Sequence, residues 1–206
     1  MVLDGFGHIK LTDFGLSKEG VTENITSKSM CGTPEYLAPE ILDKQGHGKA
    51  VDWYTLGALM YEMLTGLPPF YTEDREKLFE RIRRGNLPYP PYLSPDARNL
   101  LEALLTRDPT RRLGGGPLDA QEVKCHPFFR GTDWQAVLER RYVPPFRPNL
   151  QEDTDVKYFD KEFVSMPVVN SLEHTLGGGT LAEPVHFDGF TYQGNRGISS
   201  QTRLHR

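Results

Sequence analysis

Two cysteines in 206 residues, Cys31 and Cys125, are too few for a disulfide framework, which argues against a stapled secreted domain. No apolar run approaches the roughly 20 residues that span a bilayer, and the first residues show no basic-then-apolar leader pattern. Basic residues do not exceed acidic ones: Lys+Arg 24 stands against Asp+Glu 28, a net charge of -4. A chain-wide positive field for nucleic acid is thereby excluded, leaving only local patches. No stretch reads Gly-x-x-x-x-Gly-Lys-Ser/Thr, and Gly5-x-Gly7 stops short of Gly-x-Gly-x-x-Gly, so the common phosphate-cradling loops are missing. Apolar residues nonetheless make up 37%, with Phe 11 and Tyr 9, which suffices for a core and excludes wholesale disorder. The expectation is a soluble protein of a reducing compartment, cytoplasmic or nuclear, with no membrane span and no nucleic-acid partner.

Strand signals come first. Met1-Val2-Leu3 is apolar, Asp4-Gly5-Phe6-Gly7 is turn chemistry and His8-Ile9-Lys10-Leu11 alternates, which predicts a hairpin. From Asp13 to Pro39 the chain is rich in Ser, Thr, Gly and Glu and reads as one long loop; long loops in compact domains are commonly functional. Helical signals follow. Val51 to Leu64 is apolar on nearly every face, predicting a central helix buried all round and ended by Gly66. Thr72 is the expected cap of a helix reaching Arg84, with Glu73–Lys77 at a favourable i,i+4 spacing and Arg81 to Arg84 as a solvated face. Ser94-Pro95 is an N-cap with proline at the first helical position. A short helix is expected near Ala120 to Lys124. Beyond Phe129, prolines at 144, 145, 148, 167 and 184 and the Gly177-Gly178-Gly179 run leave apolar islands, better suited to an extended tail laid over a surface than to a second core.

Chemistry enters at Asp13-Phe14-Gly15, which follows a strand, with Ala38-Pro39-Glu40 downstream across a Ser/Thr-rich loop. Each part has a mechanical job in that order. A carboxylate at a strand end can hold Mg²⁺ against ATP phosphates, the Phe packs into the core, and the loop is where a phosphate can order the site. Asn24-Ile25-Thr26 is a formal glycosylation triplet that the compartment makes accidental, and Cys125-His126 lacks further ligands at zinc spacing.

The segment Asp13 to Glu40 resembles the activation segment of a protein kinase, and Ser29-Met30-Cys31-Gly32-Thr33-Pro34-Glu35-Tyr36 resembles the AGC group in particular. Pro90-Pro91-Tyr92-Leu93-Ser94-Pro95, His126-Pro127-Phe128-Phe129, Pro144-Pro145-Phe146-Arg147-Pro148 and Phe187-Asp188-Gly189-Phe190-Thr191-Tyr192 are similar to the seventy-kilodalton ribosomal protein S6 kinases. The ninety-kilodalton enzymes are similar too. The resemblance implies a mainly α fold: the C-terminal lobe of the protein-kinase fold plus an extended C-terminal tail. It implies a partial kinase domain over 1–129, a tail domain over 130–200 and a disordered end at 201–206. It also implies ATP and Mg²⁺ as cofactors, basic Arg-rich protein substrates, and an upstream kinase of the phosphoinositide-dependent type.

By resemblance, Asp13 is the Mg²⁺ ligand, Phe14 and Gly15 complete its motif, and Ser29 is the activation-loop phosphosite with Lys18 helping to receive the phosphate. Thr33 contacts the catalytic loop. Glu40 and Arg112 form the ion pair that ties the segment to the lower lobe, although a surface charge beside a helix would explain Arg112 equally simply. Asp52 holds catalytic-loop backbone, or is a helix-start carboxylate, or both. Glu62, costly on an apolar helix unless paired, reads substrate arginines through bidentate pairing or else makes a local salt bridge. Phe159 belongs to the tail segment that lends an aromatic to the adenine pocket, or is an ordinary packing residue. Phe187 and Phe190 form the hydrophobic motif with Thr191 as its phosphosite. Ser171 stands at the turn-motif phosphosite, where Leu172 replaces the usual proline.

A Gly-rich loop, an ATP-pairing strand Lys and a His-Arg-Asp-Leu-x-x-x-Asn catalytic loop do not occur in these residues. By the family's spacing, the catalytic Asn would fall just before Met1. The expectation is therefore a piece of a serine/threonine kinase that is inactive by itself. The alternative is a non-catalytic binding fragment that engages an upstream kinase through its hydrophobic motif.

Overall fold

The computed structural model describes residues 1–21, 27–44, 46–152 and 154–167. They divide into a unit over 1–153 and a second over 154–206. Elements of the first unit run β1 (Val2–Leu3), β2 (Ile9–Lys10), a 3₁₀ turn (Pro34–Tyr36), α1 (Pro39–Leu42), α2 (Ala50–Thr65), α3 (Arg75–Arg84), α4 (Pro95–Leu104), α5 (Ala120–Lys124), a 3₁₀ turn (Pro127–Phe129) and α6 (Trp134–Leu138). The second unit contributes α7 (Lys161–Val164), capped by Asp160. The described chain is mostly helical with little strand. None of its helices is long and apolar enough to cross a membrane.

α2 is the axis on which the others are placed. Its buried side carries Tyr54, Gly57, Ala58 and Tyr61. Gly57 is there because α4 crosses close by: a Cβ at this position would lie 2.8 Å from Leu104 Cβ. The core gathers Leu37, Ala38, Ile41 and Leu42 from the segment around α1, Leu78 and Ile82 from α3, and Leu101 and Leu105 from α4 and its end. A smaller cluster of Leu100, Leu104 and Val123 sits with Trp53, Leu113 and Phe129 beside it. Each fully buried leucine contributes about 1.5–3 kcal/mol. Helix ends follow local chemistry. Ser94 Oγ accepts from Ala97 N at 3.1 Å, and Gly66 (φ 88°) ends α2 in the left-handed region with its N–H on the Glu62 carbonyl.

Four expectations about α2 and α3 need correction. α2 is not buried all round: Met63 and Leu64 at its C-terminal end are exposed, because neither α3 nor α4 covers that side. The cap of α3 is Asp74, not Thr72; its carboxylate takes the Glu76 and Lys77 amides at 3.0 and 3.1 Å. Lys77 pairs with that same Asp74 at 3.3 Å rather than with Glu73, since the capping carboxylate is already fixed on its side. The arginines of α3 are not merely solvated. Arg83 reaches Asp43 Oδ1 at 2.8 Å and the Leu42 carbonyl at 3.0 Å, tying α3 to α1, and Arg81 donates to the Tyr71 carbonyl.

The hairpin pairs Val2 with Lys10 and Leu3 with Ile9. Tail residues lie along its turn. A side chain on Gly7 (φ 89°) would strike the Phe146 carbonyl, Arg147 stacks 5.2 Å over the Phe6 ring, and Arg140 approaches Asp4 at 3.7 Å. The tail island at Trp134 is helical rather than extended, because Asp133 caps it by accepting from Ala136 N at 3.0 Å.

Candidate functional site

Asp13 follows β2 and adopts φ 63°, a left-handed conformation that Asp tolerates better than most residues. Among the described residues its Oδ1 accepts one long bond, from Gly15 N at 3.4 Å, which leaves most lone pairs of the exposed carboxylate without a partner there. Free carboxylate oxygens are the donor chemistry that Mg²⁺ takes, usually one or two at a time with phosphates and waters completing the shell. Phe14 departs from expectation. It does not pack into the core but is 65% exposed, since no described element of the first unit covers it. Ser17 closes the turn by donating to the Phe14 carbonyl at 2.6 Å.

Lys18 does approach Ser29, through an intermediary. Lys18 Nζ donates to Ser27 Oγ at 2.9 Å, and Ser27 Oγ lies 3.0 Å from Ser29 Oγ. Ser27 is fixed by a two-way backbone bridge with His47, both bonds 2.9 Å. Lys18, Ser29, Thr33, His47 and Asp52 line one cavity of about 600 Å³. Thr33 starts the 3₁₀ turn, its carbonyl accepting from Tyr36 N, and Thr55 of α2 holds the Tyr36 carbonyl at 3.0 Å. Asp52 occupies the first turn of α2; burial raises its carboxyl, Asp119 raises it further, and His47 opposes both.

Glu40 and Arg112 meet across 72 positions of sequence. The guanidinium is bidentate, Nη1 to Oε1 at 2.6 Å and Nη2 to Oε2 at 2.9 Å. Its other donors go to the carbonyls of Thr106, Ala50 and Arg107 at 2.8, 2.7 and 3.0 Å, so every N–H of the arginine is used. The group also stacks 5.0 Å over the Tyr54 ring, whose hydroxyl burial drives upward in pKa. At 2% exposure Arg112 is no surface charge. The end of the long loop is thereby pinned to α2 and to the segment after α4.

Glu62 has a different local partner from the expected base. It accepts the Tyr36 hydroxyl, and that bond, followed by burial, pushes the phenol up to about 12. The carboxylate stays half-exposed, at the edge of α2 facing the 3₁₀ turn. Phe159 lies in the second unit, 61% exposed, just before the Asp160 cap. Ser171, Phe187, Phe190 and Thr191 lie outside the described residues.

Three anchoring residues escaped the sequence reading. Asp119 (φ 51°) takes the Trp53 indole N–H at 2.8 Å. Arg107 clamps the C-terminal end of α3, donating to the Ile82 carbonyl at 2.7 Å and stacking on Phe70. His126 bonds Asn99 and accepts from Phe128 N, and burial lowers its pKa. Nothing in spacing separates Arg107 from Arg111. The positive φ of Asp119 is invisible in sequence, although an Asp before a short helix was available as a signal.

Comparison with known proteins agrees with this geometry. The protein kinase domain family matches residues 1–129, and the protein kinase C terminal domain family matches residues 150–192. RAC-beta serine/threonine-protein kinase of Rattus norvegicus is 47% identical over 195 residues, 93% of this chain and 40% of the relative. The Homo sapiens protein of that name gives the same identity and coverage. RAC-beta serine/threonine-protein kinase A of Xenopus laevis is 52% identical over 168 residues, 82% of this chain and 35% of the relative. The chain thus spans 40% or less of these relatives' length. With a free carboxylate at the head of the long loop, an arginine-locked glutamate at its foot and matches on both sides of residue 130, the chain belongs to the protein kinase family, in its AGC serine/threonine group.

Proposed function

We propose that these residues are the activation segment, lower lobe and tail of an ATP-dependent serine/threonine kinase of the ribosomal protein S6 kinase type, acting on Arg-rich proteins in the cytoplasm or nucleus. The observation that carries the reading is the segment from Asp13 to Glu40: an unencumbered carboxylate at one end, a hydroxyl network at Ser29, and the Arg112 lock at the other end. Asp13 would hold Mg²⁺, which supplies charge neutralisation on the transferring phosphoryl group when ATP is bound. The other residues position. Arg112 keeps the loop's foot in register, Thr33 and Tyr36 set the turn above α2, and Glu62 keeps a half-exposed carboxylate able to pair a substrate guanidinium once the Tyr36 bond yields. Ser171 and Thr191 are the tail phosphosites in this reading, Phe187 and Phe190 engage an upstream kinase, and Phe159 faces adenine. The S6-kinase-type assignment rests on the motifs at Pro90–Pro95, His126–Phe129, Pro144–Pro148 and Phe187–Tyr192 together; the relatives described above are RAC-beta kinases.

Phosphoryl transfer is catalysed by positioning and electrostatics, and the Gly-rich loop, ATP-pairing Lys and catalytic Asp do not occur in these residues. A polypeptide of these 206 residues is therefore expected to be inactive on Arg-rich peptides. Joined in frame behind the upper lobe and catalytic loop of a relative, it should phosphorylate them, and Asp13→Ala should abolish the transfer. A hybrid whose activity survives Asp13→Ala sinks the proposal.

A further inference from the structure

We infer that Arg107 is a positioning residue for the foot of the long loop: with Arg83 and Arg112 it closes a ring of hydrogen bonds that makes α3 a second anchor of α1. Arg112 holds Glu40 at the start of α1, bidentate at 2.6 and 2.9 Å. Arg83 of α3 holds the other end, with Nε on Asp43 Oδ1 at 2.8 Å and Nη2 on the Leu42 carbonyl at 3.0 Å. Arg107 fastens α3 by its C-terminal end: Nε donates to the Ile82 carbonyl at 2.7 Å, and Nη2 to the carbonyls of Arg81 and Gly85. The Arg107 carbonyl in turn accepts from Arg112 Nη2 at 3.0 Å, which brings the path back to Glu40. Because the ring passes through α3, whatever displaces that helix also releases the Asp43 end of the loop.

Each joint has a physical reason. A helix leaves its last carbonyls without intrahelical donors, and they carry the negative end of its dipole. Arg107 supplies donors and positive charge to that end of α3 from 22 to 26 positions further along the chain. Its planar fork reaches several carbonyls at once, and its face rests on the Phe70 ring at 5.5 Å. Arg83 therefore projects from a helix whose end is fixed. α1 needs such help, being a single turn of four residues and far too short to persist alone. The chain also leaves it through Lys44 at φ 54°, a left-handed conformation uncommon for lysine. Arg83 grips the two residues just before that exit. Ile41 and Leu42 share the core with Leu78 and Ile82, so apolar packing holds the middle of α1 while the arginines hold its two ends. The two ends thus have separate anchors, and a cut at Arg107 strikes the Asp43 end alone.

The test is amide hydrogen exchange of the full chain, resolved residue by residue by NMR. The Asp43 and Lys44 amides close the end of α1 on the Pro39 and Ile41 carbonyls. In Arg107→Gln both should exchange about threefold faster relative to the Leu105 amide at the end of α4, whereas the Ile41 amide beside Glu40 should keep its rate. Arg83→Leu should give the same pattern, and the double variant should add little to either single, since one cut already opens the ring. Arg107→Lys should restore most of the protection, because an ammonium keeps three donors for those carbonyls. If Arg107→Gln fails to melt cooperatively, Asp43→Asn takes its place with the same expectation. In the hybrid enzyme proposed above, Arg107→Gln should lower kcat on an Arg-rich peptide about threefold with the KM for ATP unchanged; this arm alone rests on the proposed function. Unchanged exchange at Asp43 and Lys44 overturns the inference. So does acceleration of Ile41 and Leu105 to the same degree, which marks a general loss of stability, or additive effects in the double variant. An active hybrid whose kcat ignores Arg107→Gln overturns it as well, while an inactive hybrid faults the assignment of the loop and leaves the exchange result standing.

Discussion

Glu40 and Asp13 are two carboxylates of one loop treated in opposite ways. Glu40 is almost fully buried and bidentate to an arginine whose remaining donors are also filled, in a segment whose Leu37, Ile41 and Leu42 belong to the core. Asp13 is exposed, held at φ 63° and engaged by one long bond. Burial without full pairing would make the first ruinous, whereas full pairing would make the second useless as a ligand. The contrast separates a carboxylate that fixes structure from one kept available for chemistry.

The largest test strikes the paired side. Arg112→Met should cost about 3–5 kcal/mol by urea denaturation, because it strands Glu40. The double variant Glu40→Met/Arg112→Met should lie closer to the parent, and equal losses in single and double would show that the pair itself supplied the stability. Gly57→Ala, two turns along α2, should cost about 1–3 kcal/mol despite its better helix propensity, because the new methyl meets Leu104. Ser94→Ala should cost about 1 kcal/mol by loss of the α4 cap. His126 tests the buried side through pH. Burial lowers its folded pKa below the ordinary 6.5, so on acidification the unfolded chain binds the proton first. Stability should therefore decline as pH falls through about 6.5 and level off below the folded pKa, and His126→Gln should remove that component. Asp13→Gly should do least to the fold, within about 0.5 kcal/mol, because no packing depends on it; a large loss by the same urea measurement would erase the contrast with Glu40.

Much of this architecture was legible from local chemistry. The hairpin turn at Asp4 to Gly7, the Ser94-Pro95 cap, the Gly66 stop and the short helix at Ala120 all obey rules that act within a few residues. Family resemblance paired Glu40 with Arg112, and the structure shows them bonded. Elsewhere the reading failed where neighbours decide. Asp74 displaced Thr72 as the cap because only one of two nearby oxygens reaches the first-turn amides. α2 looked buried on every face because composition cannot say which sides other helices leave open. Phe14 is exposed for the same reason: its apolar character is a property of the residue, its cover a property of what stands beside it.

By itself, then, the sequence determined the opening hairpin, the main helices with the Ser94 cap and the Gly66 stop, the long loop between a strand-end aspartate and a glutamate, and membership in a kinase family. Those follow from periodicity, from backbone preferences and from residue patterns that survive without coordinates. The tertiary structure alone decided that Arg112 spends every donor, that Arg107 clamps α3, and that a buried serine stands between Lys18 and Ser29. Such arrangements join positions far apart in the chain, and hydrogen-bond geometry at 3 Å is set only when packing has fixed both partners.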